Sequence, residues 1–169
     1  MFKLIIKLLI LIFIFCSKIY AADIGIEIII FNQINKNNFN TTKELFPRLT
    51  GELNTKGITE EPCDLITPLN ILATEYNKLK RNQNYKIILH ANKQYNLLPS
   101  QKHKKLLIQS ENFTGILIIT PIPNRNNYFN VTFDGIFNNS RITKTVKIKN
   151  KELYYFDHPV FGALFTIFS

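Results

Sequence analysis

The 169-residue chain contains no tryptophan, only two cysteines and only six glycines. The cysteines are Cys16 and Cys63. Cys16 lies inside a hydrophobic leader, which leaves Cys63 alone in the remainder, so no internal disulfide can staple the fold. A hydrophobic core must hold it instead, and the wealth of Ile and Phe supplies one. The glycines are scattered, so no glycine-rich loop can cradle a phosphate. Three histidines, His90, His103 and His158, show no H-x-H, H-x-x-x-H or C-x-x-C spacing. We therefore expect neither a metal centre nor a cofactor. No serine sits in a G-x-S-x-G setting, and Cys63 lies in EPCDL beside Pro62, far from any nucleophile elbow.

The N-terminus is what the chain has in abundance. Lys3 and Lys7 precede an unbroken apolar run, Leu8 to Phe15, and Ala21-Ala22 offers small residues for cleavage. This is the layout of a secretory signal peptide over residues 1–22. The run falls short of the roughly 20 apolar residues that cross a bilayer, so a membrane tie is expected only if the segment stays uncleaved. Residues 23–169 then form one domain.

Base outweighs acid, 21 residues to 12, for a net charge of +9. Removing Lys3, Lys7 and Lys18 leaves the balance basic. An exported basic protein meets anionic head groups, surface glycans and wall polymer; nucleic acid is not an expected partner.

Ile24–Phe31 (IGIEIIIF) puts Ile24, Ile26, Ile28 and Ile30 on one face and reads as a strand. Residues 32–66 show no sustained period and read as a connection, with a short helix near Lys43–Phe46. Thr67-Pro68 supplies a helix start. Leu69, Leu72, Tyr76 and Leu79 recur at helical spacing, and Lys78, Lys80 and Arg81 suit the C-terminal end. Tyr85–Ala91 is a second strand, with Tyr85, Ile87 and Leu89 on one face and Lys86, Ile88 and His90 on the other. Leu98–Asn112, with Lys102-His103-Lys104-Lys105, reads as an exposed loop. Thr114–Thr120, Tyr128–Phe133 and Arg141–Ile148 follow as strands, Lys144 standing on the apolar side of the last. Glu152–Phe156 and Phe161–Phe168 flank a final turn at Asp157-His158-Pro159, where the residue before proline is pushed toward extended backbone. The short connections after residue 113 favour antiparallel pairing. The expected architecture is α+β, an antiparallel sheet of about five to six strands with one main helix on a face.

Asp157-His158 invites a catalytic reading, a wall hydrolase using both with Glu152. Adjacent residues on an extended chain point to opposite sides, so Asp157 is poorly placed to orient His158. A binding surface is the better reading, with aromatic rings beside amide, imidazole and guanidinium groups. The candidate ligand-binding residues are His90, Gln94, Tyr128, Arg141, Tyr155, Asp157 and His158. A scaffold that binds envelope or division proteins is a second reading, through an added strand at a sheet edge.

Glu152-Leu153-Tyr154-Tyr155-Phe156-Asp157-His158-Pro159-Val160-Phe161-Gly162 resembles the C-terminal motif of the CsiV family, exported peptidoglycan-binding proteins of Gram-negative bacteria. YKIILHANKQ (85–94) is similar to that family's His-containing strand, although Ala91-Asn92-Lys93 stands where a tryptophan is usual. GILIITPIPNRNNYFNVTFDGIF (115–137) and IEIIIF (26–31) are similar to its other strands. The resemblance implies a periplasmic, non-enzymatic protein that binds peptidoglycan and supports cell shape and division.

Overall fold

A computed structural model describes residues 22–34, 71–97, 103–125 and 127–169. The expected leader, the helix near Lys43–Phe46, the Thr67-Pro68 start and Cys63 lie outside the described residues, apart from Ala22. In chain order the elements are β1 (Ala22–Gln33), α1 (Ala73–Arg81), β2 (Tyr85–Leu97), β3 (Lys104–Ser110), β4 (Phe113–Pro121), β5 (Tyr128–Phe137), β6 (Ser140–Lys149), β7 (Leu153–Asp157) and β8 (Phe161–Phe168).

The strands form two four-stranded sheets, one in the order β2-β1-β8-β7 and the other in the order β3-β4-β5-β6. Every pairing is antiparallel. The second sheet is a meander contiguous in sequence; the first is assembled from both ends of the described chain. Antiparallel strands with a helix on one face are present as expected. The expected single sheet of five to six strands is instead two sheets, and the molecule is mainly β rather than α+β. Counting strands does not show where the chain changes sheets. The chain crosses between β2 and β3 and returns between β6 and β7; the return is at Asn150–Glu152, where Lys151 adopts φ 64° and its N–H bonds the Ile167 carbonyl at 2.6 Å.

The inner faces of both sheets share one core. Ile24, Ile26, Ile28 and Ile30 of β1 pack with Phe113, Leu117, Val131, Phe133, Phe156, Phe161 and Phe165. A run of rings crosses from sheet to sheet: Phe113 to Phe133 (6.3 Å), Phe133 to Phe156 (5.3 Å) and Phe156 to Phe165 (4.9 Å), each pair near parallel. Each buried ring contributes roughly 1.5–3 kcal/mol, which is how a domain stabilises itself without relying on disulfides.

The other face of β1 carries Ile29 and Phe31, and α1 sits on it through Leu72 and Leu79. Two sequence expectations change here. The helix begins at Ala73, with no side-chain cap from the residue before it. On β2, the pairing slips between Ile30 and Phe31 of β1, leaving Ile88 as an extra residue. This bulge breaks the alternation: Ile88 and Leu89 both pack toward the inner core, whereas Tyr85 and Ile87 join the helix side.

Residues 104–110, expected in an exposed loop, form β3. Leu106 and Ile108 alternate into the core, a short pattern masked by the lysines ahead of it. The β5–β6 turn carries Asn138 (φ 46°) and Asn139 (φ 64°), the left-handed pair that a two-residue hairpin requires.

Candidate functional site

The C-terminal motif folds into β7, a three-residue turn and β8. His158 N–H bonds the Phe161 carbonyl at 3.1 Å, and Val160 N–H bonds His158 Nδ1 at 3.2 Å. The expected turn is present. Nδ1 therefore accepts, which leaves the proton on Nε2. Burial lowers the His158 pKa below its ordinary value; Lys144 adds to this and Asp157 opposes it.

Tyr155 and Asp157 point away from the core, onto the face that carries α1. Tyr155 Oη donates to Asp157 Oδ1 at 2.7 Å. Gln33, at the end of β1, donates through Nε2 to the same oxygen at 2.7 Å and to the His158 carbonyl at 3.1 Å. The Tyr155 ring lies parallel to Phe31, 6.0 Å between centroids, and remains 48% exposed. Gly162 makes this possible. A Cβ there would lie 2.7 Å from Phe31 Cζ and 2.9 Å from Tyr155 Cε2, so the two rings occupy the space a side chain would fill. Burial, then the bond to Asp157, raises the phenol pKa well above its ordinary range. The result is an aromatic plate, fixed in position from beneath by the buried Gln33 amide, with the exposed Asp157 carboxylate at its rim.

His90 lies in the same cross-strand row, His90–Ile29–Leu164–Tyr155, so three strand spacings of about 4.8 Å separate it from Tyr155. Its role is different. Glu27 is fully buried and Nε2 of His90 lies 2.7 Å from its Oε1. Oε2 accepts the N–H groups of Ile71 and Leu72 at 3.0 and 3.3 Å, and Tyr76 stacks on the imidazole at 4.8 Å. Glu27 thus ties the turn just before α1 to β1, and its carboxylate lies by the positive end of the helix. Gln94 is exposed farther along β2, opposite Gly25.

Tyr128 and Arg141 lie on the outer face of the other sheet, away from Tyr155. Arg141 grips Asp134 through Nε at 2.7 Å and Nη2 at 2.6 Å. This bidentate bond raises the Arg141 pKa against a smaller lowering by burial. The structure thus brings Tyr155, Asp157 and His158 together, leaves His90 and Gln94 on the same sheet, and separates Tyr128 and Arg141. Gln33, Phe31, Gly162 and Glu27 were not among the candidates. Only Glu27 left a clear signal, an acid inside an isoleucine strand.

Among the described residues no group of three or more His, Cys, Asp or Glu could hold a metal, and no helix is long and apolar enough to cross a membrane. No family model, curated protein or solved structure matches the chain.

Proposed function

We propose that the chain is a non-enzymatic, periplasmic peptidoglycan-binding protein that supports cell shape and division, with the Tyr155 plate as its contact surface. The fixed, half-exposed ring beside Gln33 and Asp157 carries this reading. Sugars present apolar C–H faces ringed by hydroxyls. A flat aromatic with an exposed carboxylate acceptor at its edge matches both features, and its rigidity reduces the entropy lost on binding. The resemblance of 152–162 to the CsiV motif supports the same reading, because that motif builds Tyr155, Asp157 and Gly162 into one place.

The test is co-sedimentation with purified sacculi. The chain should be enriched over a control protein of equal charge, and Tyr155→Ala should lose most of that enrichment. Equal sedimentation of chain and control would remove the reading. A second reading, a scaffold for envelope or division proteins, is favoured by one observation. Leu153 and Tyr155 are both 48% exposed on β7, which lies at a sheet edge. Crosslinking in cells that recovers protein partners through β7, with no glycan binding, would select it.

A further inference from the structure

The outer face of the β3–β6 sheet points away from the Tyr155 plate and is not used by it. Alternation places Tyr128, Asn130, Thr132 and Asp134 of β5 on this face, beside Arg141, Thr143, Thr145 and Lys147 of β6. Its one carboxylate on these two strands, Asp134, is bound by Arg141 and by Thr143. The hydroxyls of Thr132 and Thr145 bond each other at 2.8 Å. At the end nearest the β4–β5 connection the balance is different. Lys147 Nζ lies 4.8 Å from the centroid of the Tyr128 ring, and the Arg125 guanidinium lies 6.0 Å from it. Both cations are exposed, and neither has a carboxylate partner among the described residues. Lys149, opposite Tyr128 in the register, adds a third positive charge, although Glu152 approaches it at 3.6 Å.

A ring does not neutralise two cations. Cation–π contact orients them and holds them at a fixed separation, while leaving their charge to act outward. The neighbouring Asn130 side chain is exposed and supplies amide donors and an acceptor. We propose that Lys147 and Arg125, held about Tyr128, form an anion-binding subsite for the carboxylates of an acidic polymer strand. Charge complementarity supports this occupant: two cations without a carboxylate partner among the described residues are exposed, and the only acid on the two strands is already taken. The β5–β6 surface is an open run of short polar side chains, which suits an extended strand lying along it. That the polymer is the wall's acidic peptide rests on the function proposed above; the anion chemistry of the subsite does not.

The probe is poly-L-glutamate, titrated onto the full chain at low and high salt. The wild type should bind it, and the binding should weaken as salt screens the contacts. Replacing both cations (Lys147→Gln with Arg125→Gln) should weaken binding on the order of tenfold, two exposed ion contacts acting on one chain. Lys147→Glu alone should also weaken it. Tyr155→Ala should leave it unchanged. Denaturation midpoints equal to wild type show that each variant is folded. Absence of wild-type binding, or binding at the wild-type level by both Lys147→Glu and the double variant, overturns the proposal. So does tighter binding to phosphatidylglycerol vesicles than to poly-L-glutamate with the same dependence on Lys147, which would make the face a membrane contact. Poly-L-glutamate binding without sacculus binding retains the subsite and removes the wall reading; the reverse removes the subsite alone.

Discussion

Gly162 shows how much can depend on a missing side chain. The Phe31 and Tyr155 rings come so close to its Cα that an added methyl group must push one of them away. Gly162→Ala should therefore destabilise the fold by about 1–3 kcal/mol, read from urea denaturation, and should displace the Tyr155 plate. Sacculus binding should fall with it. A variant as stable as wild type and fully able to bind would show that the plate is not held in this way. His158 gives a pH-dependent counterpart. Its imidazole is held below the ordinary 6.5, chiefly by burial, so the unfolded chain takes up the proton first as pH falls. Its contribution to stability is complete above that ordinary value and is lost as pH falls through the lower, folded value. The denaturation midpoint should drop as pH falls below about 6.5, and the drop should be smaller in His158→Gln. Equal slopes would exclude His158 as the cause. At this scale the sequence was partly informative. Proline and aspartate marked the turn, and the clustered aromatics marked Tyr155. Gln33, 122 residues away from Tyr155, carried no local sign that it would meet it.

Helix α1 is fastened by a strand. Glu27 spans the N–H groups of Ile71 and Leu72, in the turn that leads into α1, and His90, so one carboxylate holds both to β1. Glu27→Ala removes the acceptor of the buried Leu72 N–H and of the part-buried Ile71 N–H, and leaves His90 without its partner; it should cost about 2–4 kcal/mol. Amide exchange in α1 should accelerate while exchange in β4 and β5 stays slow. Uniform acceleration would mean that Glu27 supports the whole core rather than the helix. Edge strand β6 needs a different device. Lys144 occupies a position of inward alternation between Ile142 and Val146, and its Nζ reaches the Asp157 carbonyl at 3.4 Å. An inward charge on an edge strand discourages pairing with another molecule. Lys144→Val would complete an apolar row, and light scattering should then report association that the wild type lacks. Most strands were legible from alternation because one face of each is buried. β3 was missed because only Leu106 and Ile108 signal it. The phase of β2 was wrong beyond one residue, because a bulge leaves no mark in composition.

Across the whole molecule, the run of rings from Phe113 to Phe165 ties the two sheets together. Phe133 stacks on both Phe113 and Phe156 and is fully buried. Phe133→Ala should cost about 3–5 kcal/mol, measured by urea denaturation; a loss under 1 kcal/mol would mean that the sheets do not depend on this contact. The sandwich itself was hidden from sequence reasoning. Hydrophobic alternation tells that a strand has a buried face, but not which sheet the face belongs to. The order of assembly carries a further consequence. The β3–β6 meander is local and can form as soon as residues 104–149 exist. The other sheet cannot, because its inner strand β1 must wait for β8, whose pairing joins Gly25 to Phe168. Contacts between the two ends of a chain form slowly. During synthesis, β1 and its isoleucine row therefore remain without one partner until residues 161–168 are made, so a chain cut before β8 should be left with an adhesive edge instead of a slightly smaller domain.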